Sequence, residues 1–344
     1  MSYYDWNKTL SYDAPITMVI GARGIGKTYG LRVQVIRDFL RHDYRFVEVC
    51  RYREEMRITE RNYFDRLGAV YPEYAFKIER DCAYIGRKCD NPKNIVWNIC
   101  GYFIALSSFQ MLKKATFNNV KRIIMDECVI DKNDKFHRYL PNEYEELANV
   151  VSSVTRERSD SRIRPRLYLL GNACDIINPY FEVLKINALP PDGYTWYLHN
   201  TFLLHYVTDK KYTVGMERTL AGAMLTNSDN TSVALENKFD DYELKMIGNK
   251  TSDAKYMCTL RYDNKPLAIW CDNISGYYYI NDKTPKNSNN VYALTLTDSP
   301  NYIVLKRRMP LLKLCGEIYR LRLCRFDTPK RHNDYCEMLQ YVGV

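Results

Sequence analysis

The run Ile16-Thr17-Met18-Val19-Ile20-Gly21-Ala22-Arg23-Gly24-Ile25-Gly26-Lys27-Thr28 constrains this chain more than any other stretch. An apolar, partly β-branched strand enters a turn in which Gly21 is followed, after four residues, by Gly26-Lys27-Thr28. That is the Walker A spacing, in which backbone N–H groups curl around phosphate oxygens and a side chain at the glycines would block the approach. Gly21, Ala22, Arg23, Gly24, Ile25, Gly26, Lys27 and Thr28 would form the cradle, with Lys27 reaching the β and γ phosphates and Thr28 a Mg²⁺ ion. The following helix, from Thr28 to about His42, carries Leu31, Val35, Ile36, Phe39 and Leu40 on one face and offers its positive N-terminus. The competing reading is a chance glycine-rich turn, which would leave the flanking strand and helix patterns unexplained.

Further strand patterns follow at Arg45–Cys50, ending in the basic pair Arg51 and Arg53, and at Tyr102–Leu106, with Lys113 on the loop beyond. The charged segment up to Asn98 looks like a small excursion from the sheet. Arg122-Ile123-Ile124-Met125-Asp126-Glu127 is an apolar run whose acids come only at its C-terminal end, the Walker B form. In a parallel sheet that end faces the ligand, so Asp126 would hold Mg²⁺ and Glu127 would orient and polarise the attacking water. A plain strand-terminal acidic pair is the alternative.

A helix is expected from Pro141 to about Arg158, with Leu147, Val150, Val151 and Val154 on one face and Arg156, Arg158, Arg162, Arg164 and Arg166 crowding its far end. Cations there suit the helix dipole, and one of them could also reach a neighbouring subunit's nucleotide. The strand Arg166–Asn172 ends on a polar residue, so Asn172 could sense the γ-phosphate or the water, though Asn is also common before turns. These strands alternate with helices, the pattern of an α/β fold with a doubly wound, mostly parallel sheet.

At 344 residues the chain should hold more than one core, and its net charge of +9 favours a polyanionic partner without proving one. Eleven scattered cysteines include no C-x-x-C pair, so reduced thiols are expected rather than zinc or a disulfide framework. The N-terminus lacks a signal-peptide pattern and no apolar run approaches membrane-spanning length, so no membrane role is expected. Residues 209–238 look like a linker subdomain. Beyond it, Lys255–Leu260, Leu267–Cys271 and Tyr277–Ile280 read as a meander, and Leu311–Phe326 as a basic helix.

With Walker A, Walker B, the arginine-bearing helix and Leu170-Gly171-Asn172-Ala173 in this order, the chain resembles the phi29-type bacteriophage DNA-packaging ATPase family. Leu10-Ser11-Tyr12-Asp13, Arg51-Tyr52, Tyr139-Leu140-Pro141-Asn142-Glu143 and Asn178-Pro179-Tyr180-Phe181 carry the likeness along the chain, and Trp270, Asp272, Tyr279-Ile280 and Asn290-Val291-Tyr292 carry it in the C-terminal part. The resemblance implies an additional-strand, catalytic-glutamate (ASCE) P-loop NTPase domain over 1–208, the linker over 209–238, and a small α+β, RNase H-like domain over 239–344 that has lost its nuclease acids. It implies a homo-oligomeric, pentameric ring in the host cytoplasm, transiently at the portal vertex of a procapsid, threading double-stranded DNA inward with ATP and Mg²⁺. The portal, and in some members a packaging RNA, would be further partners. By position Arg156 matches the family's trans-acting arginine finger and Lys113 a loop lysine implicated in contacts between neighbours. Arg53 matches a basic residue facing the DNA pore, and Arg53 and Lys113 stand as candidate DNA contacts. Cys50 departs from the pattern, standing where the family can have another arginine. The alternative function is a terminase that also cuts DNA, with Asp272 and Asp282 as candidate members of a metal-binding acidic cluster.

Overall fold

The computed structural model describes residues 4–112, 116–130, 138–155, 163–173, 176, 178–186, 190–207, 243–298, 301–306 and 309–344. The expected linker subdomain, Lys113, Arg156, Arg158 and Arg162 lie outside the described residues. Two compact units emerge, Met1–Asp175 with Pro190–Phe239, and Ile176–Leu189 with Asp240–Val344.

The first unit contains α1 (Trp6–Ser11), β1 (Ile16–Gly21), α2 (Lys27–His42), β2 (Arg45–Cys50), α3 (Arg53–Asn62), α4 (Leu67–Val70), β3 (Tyr74–Glu79) and β4 (Cys82–Arg87). It continues with β5 (Asn98–Ala105), β6 (Val120–Met125), α5 (Glu143–Thr155), β7 (Arg166–Gly171), β8 (Gly193–Tyr197) and β9 (Phe202–Val207). The nine strands lie in the order β3-β4-β5-β2-β6-β7-β1-β9-β8. From β5 to β9 every pairing is parallel, and β3, β4 and β8 join antiparallel at the two ends. The central strands are buried almost throughout, as parallel strands covered on both faces must be. The face under α2 is filled by Val19, Leu31, Val35, Phe46, Phe103 and Tyr168, with the Tyr63 ring stacked on Phe46 at 4.9 Å.

The strand order matters for the site: β7 intervenes between β1 and β6, so their C-terminal ends line one edge with Asn172 between the phosphate loop and the acids. The charged stretch expected as an excursion from the sheet instead forms α3, α4 and the β3–β4 hairpin, which extends the sheet through β5.

The second unit holds α6 (Pro179–Leu184), β10 (Lys255–Tyr262), β11 (Lys265–Asp272), β12 (Tyr277–Asn281), β13 (Val291–Ala293), β14 (Ile303–Val304), α7 (Pro310–Arg320), β15 (Cys324–Phe326) and α8 (Pro329–Val342). Its sheet runs β14-β13-β10-β11-β12-β15. The expected meander is present as β10, β11 and β12, with β13 added parallel to β10, β14 parallel to β13 and β15 parallel to β12. Leu260, Ile269, Leu312, Phe326, Tyr335 and Met338 fill its core.

The single basic helix expected over Leu311–Phe326 is broken. α7 ends at Arg320, Arg322 takes a φ of 62°, and Cys324–Phe326 pairs with β12. Burying Cys324 and Phe326 in the sheet outweighs continuing an exposed helix.

Candidate functional site

The phosphate loop is shaped by its glycines. Gly24 and Gly26 have φ of 84° and 88°, where a side chain is strained, and a Cβ on Gly21 would meet Ile25 Cδ1 at 2.7 Å. Gly26 is the N-cap of α2 and has no side chain to cap the helix, so the positive end of the helix opens onto the loop without a side chain in front of it. Lys27, buried at the start of that helix, donates from Nζ to the carbonyls of Gly21 at 2.7 Å and Ala22 at 2.8 Å, and to Asn172 Oδ1 at 3.2 Å.

A brace that sequence reading missed holds this loop from outside. The Tyr4 N–H donates to the Ile25 carbonyl at 2.9 Å, and the Trp6 indole donates to the Lys27 carbonyl at 2.8 Å. Gly30 leaves room for that indole, since a Cβ there would lie 2.5 Å from Trp6 Cδ1.

Asp126 and Glu127 follow directly on β6. The Glu127 N–H donates to Asp126 Oδ1 at 3.0 Å, Glu127 takes a left-handed φ of 51°, and the Cys128 N–H returns to the Leu170 carbonyl of β7 at 2.8 Å. Lys27, Thr28, Asp126, Glu127, Gly171 and Asn172 thus line one cavity of about 450 Å³, together with Arg23, Tyr29 and Arg66. Residues expected at a single site from positions 145 apart do meet there, Lys27 and Asn172 in direct contact.

An adjoining cavity of about 330 Å³ shares Arg23, Asp126, Glu127 and Asn172, and extends to Arg32, Glu48, Arg51 and Thr59. Burial pushes the Glu48 carboxyl up to about 8, against the opposing pull of the Arg32 guanidinium 3.8 Å away, with Asp126 adding to the rise. Burial likewise raises the thiols of Cys50 and Cys128.

The basic pair after β2 divides in two. Arg51 is 3% exposed, while Arg53 opens α3, stays 45% exposed and pairs with Asp81 at 3.3 Å. In the second unit, Asp272 caps the β11–β12 turn. Its oxygens accept from the Ser275 hydroxyl at 2.8 Å, the Ile274 N–H at 2.8 Å and the Thr251 hydroxyl at 2.9 Å, and these bonds, Ser275 first, hold its carboxyl down at about 2. Asp282 pairs with Arg331 at 3.0 Å. In the register of β11 and β12 the two acids stand at opposite ends of the hairpin, roughly 17 Å apart, so they do not share a metal. Among the described residues no group of three or more acid, His or Cys side chains is placed to hold a metal ion.

A family model for the podovirus DNA encapsidation protein (Gp16) matches residues 1–335. The DNA packaging protein of Bacillus phage phi29 is 29% identical over 346 residues, covering 99% of this chain and 98% of that protein. The DNA packaging protein of Bacillus phage B103 is 28% identical over 340 residues, covering 97% and 99% respectively. Among solved structures, a chain of the bacteriophage Phi-29 viral genome packaging motor assembly is similar with a TM-score of 0.68 at 26% identity, covering 99% of this chain and all of that one. With the family model matched over nearly the whole length and the phosphate loop, acids and Asn172 gathered at one sheet edge, the chain belongs to the podovirus DNA encapsidation protein (Gp16) family.

Proposed function

We propose that this protein is an ATP-driven translocase subunit that packages double-stranded DNA into a procapsid. The observation that carries the reading is the convergence of Lys27, Thr28, Asp126, Glu127 and Asn172 on one cavity of about 450 Å³. The N-terminus of α2, capped by a glycine, and the side-chain-free surface at Gly24 and Gly26 fit a triphosphate. Thr28 and Asp126 would hold Mg²⁺, which when bound neutralises charge on the β and γ oxygens. Lys27 would exchange the carbonyls of Gly21 and Ala22 for phosphate oxygens. Glu127 would orient and polarise the attacking water, and Asn172, bonded to Lys27, would register the γ-phosphate. The position of β7 between β1 and β6 supports the ASCE class, and the meander continued by parallel strands supports an RNase H-like descent for the C-terminal unit.

In this reading the subunits form a pentameric ring at the portal, with packaging RNA as a further partner, and Arg156 of one subunit completes the site of the next. Arg53 and Lys113 would touch DNA phosphates, because a packaging motor must accept any sequence. The test is ATP turnover with and without duplex DNA. Glu127→Gln should bind ATP and fail to hydrolyse it, Arg156→Ala should also fail, and a mixture of the two should recover part of the rate. A mixture as inactive as its components would refute the shared site, and a Glu127→Gln protein turning over like the parent would refute the reading as a whole.

A further inference from the structure

Arg51 sits where three parts of the first unit meet. Its Nε donates to Glu143 Oε2 at 2.7 Å and its Nη2 to Glu143 Oε1 at 2.9 Å, a two-pronged pair whose partners are 3% and 0% exposed. Nη2 also donates to the Cys128 carbonyl at 3.0 Å and Nη1 to the Glu127 carbonyl at 3.4 Å. Glu143 opens α5, and its Oε2 also accepts from the Leu140 N–H at 2.9 Å. The main chain of Arg51 adds a third tie, its carbonyl accepting from the Ser107 N–H at 3.1 Å.

A buried guanidinium is a costly way to fill space, and here its donors converge on the peptide groups just after the Walker B acids. Those groups need holding. Glu127 has a φ of 51°, a conformation that costs a non-glycine residue free energy and persists only where the surroundings enforce it. A peptide that relaxed from it would shift the Glu127 side chain within the cavity it lines with Lys27 and Asn172.

We propose that Arg51 and Glu143 are positioning residues for the hydrolytic step, a joint that fixes Glu127 in its left-handed conformation and ties it to the helix immediately preceding Arg156. The inference rests on the ATPase reading above and deepens it: the acid serving a subunit's own nucleotide and the helix leading to its neighbour's would be held through one side chain. A conservative change should therefore damage both while leaving the phosphate cradle intact. Lysine cannot replace Arg51, because one ammonium cannot span a carboxylate and two carbonyls in fixed geometry.

The test uses the full-length protein with Glu143→Gln and Arg51→Lys, each measured for affinity for a fluorescent non-hydrolysable ATP analogue, for kcat and KM, and for Tm. The expected result is affinity and KM within about threefold of the parent and kcat lower by about 10- to 100-fold, the scale of an ångström's misplacement of a reacting group. Unchanged kcat in Glu143→Gln, or loss of affinity in step with kcat, would overturn the proposal, the latter marking a purely structural pair. The second arm mixes Glu143→Gln with Arg156→Ala subunits. No recovery is expected; recovery equal to that of the Glu127→Gln and Arg156→Ala mixture would overturn the link to α5. Should that reference mixture itself stay inactive, the shared-site reading fails, and the split between kcat and affinity still decides the role of Arg51 and Glu143.

Discussion

Glu48 offers a perturbation whose sign and size follow from its surroundings. It lies in the middle of β2, 1% exposed, with Arg32 Nη2 at 3.8 Å and no hydrogen-bond partner for Oε2. Arg32 also packs over the Tyr63 ring at 4.4 Å. Burial raises the Glu48 carboxyl from its usual 4.5 to about 8, so between those values the folded chain holds a proton that the unfolded chain has released. Stability from this group is therefore complete below about pH 4.5 and declines as pH rises through the window to about 8. At about 1.4 kcal/mol per unit, the full excursion is on the order of 5 kcal/mol. Glu48→Gln keeps the shape and removes the titration. Because Glu48 already carries its proton below about pH 8, the substitution removes no ion pair there, and Arg32 keeps the Tyr63 ring. The variant should thus match the parent within about 1 kcal/mol at pH 5 and exceed it by roughly 2 to 4 kcal/mol at pH 9. Urea midpoints of both proteins at pH 5, 7 and 9 measure this. A difference that stays flat across that range would refute the reasoning, because it would mean that Arg32 keeps Glu48 ionised throughout.

Two further changes probe other parts of the first unit. Gly30→Ala places a Cβ 2.5 Å from Trp6 Cδ1, so despite the gain of about 1 kcal/mol in helix propensity it should lower stability by a net 1 to 2 kcal/mol and raise KM for ATP. A Tm at or above the parent's would show that the fit around Trp6 is loose. Arg53→Ala breaks a largely exposed pair with Asp81 and should alter stability by less than about 0.5 kcal/mol, while DNA-stimulated turnover falls and the salt slope of duplex binding shrinks by about 1. Anisotropy titrations at several salt concentrations check this, and an unaltered slope would remove Arg53 from the DNA contacts.

The local grammar of the site was readable because its constraints are local. Glycines at fixed spacing set the phosphate loop, an apolar run ending in two acids set β6, and a strand ending in Asn172 set the residue that touches Lys27. The partners 92 residues apart in Arg51 and Glu143 left no such trace, since only the strand order and the start of α5 bring them together. The Tyr4 and Trp6 brace is equally silent in sequence: two aromatics near the start of a chain with 30 tyrosines carry no spacing signal. The β3–β4 hairpin was hidden by its half-exposed, charged strands, which alternate weakly at a sheet edge. The break after α7 was hidden because Leu321 and Leu323 continue the apolar helical spacing, while pairing with β12 is a tertiary preference.

The hold that Tyr4 and Trp6 keep on Ile25 and Lys27 has a mechanical corollary. A bead, surface linkage or bulky fusion attached ahead of Tyr4 would pull on the carbonyls that flank the Lys27 amide before its load reached the rest of α2. On the ATPase reading, tension applied ahead of Tyr4 loads the phosphate loop through these two hydrogen bonds, which makes that side of the chain a place for a force gauge and a poor one for an inert handle.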